Sequence, residues 1–158
     1  MKNISTLRLS MIVTIALLAA ACTHGKTKLK ADDNQLTKNQ YVDISAVWLK
    51  DKGNKYDVKL RVLNVSKNDI IIMLNDMQCY RGPNQGALKH TFFNTGERTI
   101  DFRAGQVKEF QMVCNLNDAA PGEHRIVVNR IFDNPESDGA TKGKVLANKI
   151  EWKAAIGK

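Results

Sequence analysis

The sequence has 158 residues, 43 % of them hydrophobic and 25 % charged, with a formal charge of +8. That length suits one domain with a single core of ordinary size. No apolar run reaches the roughly 20 residues of a spanning helix, and no recognisable nucleic-acid module accompanies the basic charge.

Met1 to Ser10 carries Lys2 and Arg8 and no acid, and Met11 to Ala21 is small or apolar apart from Thr14. A basic flank, a short apolar stretch and small residues at its end make residues 1–21 a signal peptide. The stretch closes on Ala19-Ala20-Ala21-Cys22. This junction resembles the lipobox of bacterial lipoproteins, with Ala19 standing where that motif usually has leucine. The resemblance implies that Cys22 is diacylated and becomes the first residue of the mature chain. Each buried CH₂ contributes ~0.8 kcal/mol, so two or three acyl chains hold where one would not. The other reading of the same residues is an ordinary A-x-A cleavage site with Cys22 beside it by chance. Loss of Lys2 and Arg8 leaves a formal charge of +6, two fewer than the +8 of the whole sequence. A moderately basic surface favours anionic lipid or polymer, or is simply a solvated one.

Residues 22–40 read as the lipidated cysteine and a flexible tether. Thr23 to Gln40 is too polar to order itself by burial. Lys26, Lys28 and Lys30 lie nearest the lipid, within reach of anionic headgroups. Residues 41–158 form the folded domain.

From Tyr41 the apolar period is two, the signature of strands. Val42, Ile44, Ala46 and Trp48 mark the first, and Asp51-Lys52-Gly53-Asn54 the turn after it. Tyr56 to Val62 alternates apolar and charged residues without error, so one face is buried and the other wet. Ile70 to Leu74 is a continuous apolar run, as expected of a strand covered on both faces. Gly82 to Gly86 reads as a break before a strand at Leu88 to Phe93. Shorter signals follow at Ile100 to Phe102 and, beyond Ala104-Gly105, at Val107 to Cys114. His124 to Phe132 and Val145 to Lys153 complete about eight strands with sandwich-like turn spacing. GERTIDFRAGQVKEFQMVC resembles the strand, Ala-Gly turn, strand unit of bacterial immunoglobulin-like domains, and PGEHRIVVNRIF resembles their penultimate strand. The resemblance implies an all-β, immunoglobulin-like sandwich of antiparallel strands, with a transthyretin-like sandwich as the alternative. It implies no function.

With Cys22 lipidated, Cys79 and Cys114 remain as one pair, and an exported domain favours a disulfide between them. Closing a loop of about 36 residues contributes ~3.5–4 kcal/mol in the chain-entropy model. His90 and His124 fall on separate strands and, with Met73, Met77 and Met112, compose an imaginable copper site. No ligand spacing supports it, so no metal and no cofactor are expected. Asp133 to Gly139 is acidic and turn-rich, but lacks the alternation and closing glutamate of an EF-hand loop. It reads as a solvated loop, and as the best-placed variable binding loop. Trp48 and Trp152, on apolar strand faces, read as core residues before a carbohydrate platform. There is no G-x-S-x-G, no Ser/His/acid set and no phosphate-cradling loop, so no catalytic residue is assigned. Two function classes remain. One is a non-catalytic, lipid-anchored binding or assembly module that docks an envelope protein or polymer, with no nucleic acid. The alternative is an unrecognised envelope enzyme or metal carrier. Thr23 is not the aspartate associated with inner-membrane retention, so the expected site is the outer membrane, facing the periplasm.

Overall fold

The computed structural model describes residues 36–91, 99–119, 121–136 and 142–155. Cys22 and the signal segment lie outside these residues, as does the Ser137 to Gly139 end of the acidic loop. The protein is an all-β sandwich of ten antiparallel strands among the described residues. They are β1 (Thr37–Lys38), β2 (Val42–Asp51), β3 (Lys55–Asn64), β4 (Ile70–Met73), β5 (Met77–Arg81), β6 (Asn84–His90), β7 (Thr99–Phe102), β8 (Val107–Asn115), β9 (His124–Asp133) and β10 (Val145–Ala154).

One layer runs β1-β2-β3-β8-β6. In the other, β9 pairs with β10 along one edge and with β4 and β5 along its opposite edge, and β7 extends β4. β6 belongs to both layers: Asn84 to Gly86 pairs with β5, and Ala87 to His90 pairs with β8. This corner closes one side of the sandwich. The alternation of β3 is realised as read, with Tyr56, Val58, Leu60 and Val62 wholly buried and Arg61 exposed. Ile70, Ile71 and Ile72 are all wholly buried, as a strand covered on both faces requires.

Four readings are corrected. The strand count is ten, because β1 and β5 were not recognised. Both have local signals too short or too mixed for a period: β1 has two residues, and β5 is Met-Gln-Cys-Tyr-Arg. The break at residues 82–86 narrows to Gly82-Pro83, with Arg81 opposite Asn84 in a two-residue hairpin. Thr37 to Gln40, assigned to the tether, belong to the fold. β1 pairs with β2, and the Asn39 side-chain oxygen accepts from the Tyr41 and Val42 N–H groups at 2.7 and 2.8 Å. Finally, Trp48 is not a core residue. The β2–β3 ladder slips between Ala46 and Trp48, so a bulge at Val47 puts Trp48 opposite Lys59 on the outer face. Leu49, 1 % exposed, takes the inward position instead. Trp152 is wholly buried, as read.

A matching phase change occurs in the second layer. Val128 and Ile131 of β9 are both core residues, three apart, which strict alternation forbids. The partner edge accommodates this with a single 3₁₀ turn, Leu74–Asp76, between Ile72 (opposite Ile131) and Met77 (opposite Val128). Asn129 and Arg130 tie the irregular stretch down through Asp76, at 2.7 and 2.8 Å.

Candidate functional site

An imidazole, a guanidinium and a carboxylate converge at one end of the sandwich. Arg81 ends β5 and His124 begins β9, opposite each other in register. Asp51 ends β2, and the Gly53 turn follows it. Arg81 is 4 % exposed and His124 is 2 % exposed. The Arg81 guanidinium donates to the Asp51 carboxylate, to the Gly53 carbonyl and, at 3.2 Å, to His124 Nε2. Asp51 Oδ2 stands 3.1 Å from the same His124 nitrogen. The Tyr56 ring meets the imidazole edge-on, with centroids 4.7 Å apart. Its hydroxyl shares one proton between the carbonyls of Arg125 and Tyr80, at 3.0 and 3.2 Å, both on the opposite layer.

Burial pushes the His124 pKa below the usual imidazole range. The Asp51 carboxylate pulls the other way and Arg81 reinforces the fall. Nε2 thus lies between the Arg81 donor and the Asp51 carboxylate, and Nδ1 is buried against the Ala154 backbone without a well-aligned partner. Burial also raises the Tyr56 phenol far above its ordinary value, so it remains a donor. Chemically the cluster is a strap. It fixes the β2–β3 hairpin to the second layer and uses all three guanidinium nitrogens of Arg81 to do so. A buried charge is tolerable only when paired and hydrogen-bonded in this way.

His90 does not join it. It lies at the far end of β6, opposite Met112, while Arg81 and His124 sit beyond the other end of that strand. Burial lowers its pKa as well, against a contact with the Leu74 backbone. The imagined His90–His124 copper site is thus not assembled. Among the described residues no three His, Cys, Asp or Glu side chains converge on one point.

Cys79 and Cys114 are joined across the corner, with Cα atoms 5.9 Å apart. The disulfide ties β5 to β8 where β6 changes layers. Gly86 sits against it. A Cβ there would lie 2.4 Å from Cys114 Sγ, 2.7 Å from the Asn115 carbonyl oxygen and 3.1 Å from Cys79 Sγ. Only glycine fits the crossing point.

Among the described residues, the opposite side of the sandwich is open. β10 has ten residues, and from β1 it receives one hydrogen bond, Thr37 Oγ1 to the Glu151 carbonyl at 2.8 Å. Beside that contact a cavity of about 620 Å³ is bounded by Asn39 to Tyr41 and by Leu146 to Glu151. Lys149, on its wall, holds a positive φ of 50°, a strained conformation for a residue with a side chain.

At the far end of the sandwich, Asn64 is wholly buried. Its amide donates to the carbonyls of Asn68 and Arg103 at 2.8 and 3.0 Å, and its oxygen accepts from the Ser66 N–H at 3.0 Å. Sequence reading missed Asn64, Arg81 and Asp51. Asn64 had a local signal, an Asx turn into Ser66; the other two had none.

No family model matches this chain, and no curated protein matches it. Among solved structures it is similar to a lipoprotein candidate (ycdA) from Bacillus subtilis subsp. subtilis str. 168. That likeness has 10 % identity, covers 78 % of this chain and 38 % of the other, and has a TM-score of 0.49. It is also similar to a FixG-related protein from Vibrio parahaemolyticus, at 11 % identity over 74 % of this chain and 96 % of the other, with a TM-score of 0.34. The chain thus spans little more than a third of the first neighbour's length, and likenesses of this size transfer no function.

Proposed function

We propose that this chain is a lipid-anchored, non-catalytic binding or assembly module of a bacterial cell envelope. In this reading, acyl chains on Cys22 hold it to the membrane, on the periplasmic face of the outer membrane. The domain docks an extended segment of another envelope protein along β10. The observation that carries the proposal is the contrast within the site region. The buried ionisable groups are spent on an internal strap, whereas the ten-residue β10 offers an edge with one side-chain bond from β1 and a groove beside it. An exposed strand edge is a template for strand addition. The Cys79–Cys114 bridge supports an oxidising compartment, and the basic flank, apolar run and AAAC junction support export and acylation.

Two measurements test this together. A photo-crosslinking residue at Asn148, on the groove wall, should capture one envelope protein in cells. The same residue at Lys59, on the outer face of β3, should not. Lys149→Asp, at an exposed position on the groove wall, should weaken capture without lowering the melting temperature. Cys22→Ser should release the protein from membranes or block its maturation. Equal capture from both positions, or a wild-type protein that is soluble and unacylated by mass spectrometry, overturns the corresponding half.

A further inference from the structure

The end of the sandwich away from the Arg81 strap contains a second polar site. The β3–β4 turn carries Asn68 and Asp69, and the end of β9 carries Asp133, followed by Asn134 and Pro135. These five residues, from two segments more than sixty positions apart in sequence, line a cavity of about 310 Å³. The backbone holds the two segments together: the Asn134 N–H donates to the Asp69 carbonyl at 2.9 Å. The Asp133 backbone pairs with Lys144 and Gly143 at 2.9 and 2.8 Å, fixing the base of the loop. Asp69 is oriented by the Ala104 N–H, which donates to its Oδ1 at 2.9 Å.

Two features of this cavity point to a ligand. Asn134 is only 3 % exposed, yet its side-chain oxygen has no hydrogen-bond partner. A buried acceptor left in that state loses its solvation with nothing in return. Among the described residues, the Asp133 carboxylate enters no ion pair or side-chain hydrogen bond. What these wall residues share is oxygen: two carboxylates and the amide oxygens of Asn68 and Asn134. Neither sulfur nor imidazole is present, which disfavours zinc and copper. Hard oxygen donors on a loop-built, adaptable site suit Ca²⁺. Mg²⁺ demands near-ideal octahedral geometry and dehydrates reluctantly.

We propose that the Asp69–Asp133–Asn134 cavity is a calcium site that clamps the β3–β4 turn to the segment following β9. The bound ion takes the unpartnered Asn134 oxygen and the Asp133 carboxylate as ligands. Its charge is balanced by the two aspartates, and water completes the coordination. Ions at such two-carboxylate sites bind in the range of extracellular modules, about 10⁻⁴–10⁻³ M.

The test is thermal unfolding of the full-length, detergent-solubilised protein in matched ionic strength with CaCl₂, MgCl₂ or NaCl. Calcium at 10 mM should raise the melting temperature by about 5 °C or more. Magnesium should not, and Asp133→Asn should lose the rise while keeping the calcium-free melting temperature. If Asp133→Asn fails to fold, Asp69→Asn takes its place, and calorimetric titration of the wild type with CaCl₂ gives the affinity directly. No rise with calcium, an equal rise with magnesium, or a rise retained in the aspartate variant overturns the proposal. The buried Asn134 oxygen is then served by a water molecule alone.

Discussion

The two long sides of this sandwich solve the same problem in opposite ways. Any layered sheet has edges whose backbone groups must be paired, covered or left to a partner. On one side β6 crosses between the layers, Gly86 permits the crossing and the Cys79–Cys114 bond locks it. On the other side β1 is only two residues long and reaches β10 through Thr37. The closed side is covalent and sterically exacting; the open side rests on one side-chain hydrogen bond and a groove. Stability and access are thus divided between the two sides rather than shared by both. A partner that adds a strand along β10 would do so without disturbing the disulfide.

The sharpest way to break this contrast is Gly86→Ala. Its Cβ would overlap a sulfur and a backbone carbonyl, and the carbonyl cannot swing aside. The substitution should cost more than loss of the disulfide, which itself contributes about 4 kcal/mol by restricting the unfolded chain. A cycle with Cys79→Ala/Cys114→Ala sharpens the point. Removing both sulfurs relieves two of the three close approaches, so Gly86→Ala should be less damaging there, yet still destabilising through Asn115. Equal melting temperatures for Gly86→Ala and wild type would show that the corner is looser than described.

A middle-sized effect concerns the Arg81 strap. The His124 and His90 pKa values are lowered in the folded protein, so the unfolded chain binds more protons once pH falls below the ordinary imidazole value of about 6.5. Stability is then full above that pH and declines progressively as pH drops toward the folded-state values. Melting curves at pH 7 and pH 5 should differ, and His124→Asn should shrink the difference. A profile unchanged by His124→Asn would mean that this ring does not titrate with unfolding.

The smallest effect belongs to the open side. Thr37→Val removes the bond to the Glu151 carbonyl and should cost about 0.5–1.5 kcal/mol, a typical net value for one hydrogen bond. If it costs as much as losing the disulfide, the open side is not the weaker one, and the contrast fails.

The periodic parts of this protein were legible from residue order alone. Tyr56 to Val62 alternates so cleanly that no other facing of β3 would bury its apolar set, and the run Ile70 to Ile72 implied cover on both faces. Gly53 and Gly105 marked turns that need positive φ, and they hold 81° and 73°. Counting cysteines was enough to pair Cys79 with Cys114 once Cys22 was set aside for lipid. Which polar groups meet depends on how the strands assemble. Asp51, Arg81 and His124 come from three strands, and Asp69 and Asp133 from two distant segments; nothing local links them, because register between strands is a non-local choice. Trp48 shows the limit from the other direction. One extra residue at Val47 moves it from the core face to the outer face. A period of two records alternation but not the bulge that inverts it, since the bulge exists only relative to a partner strand.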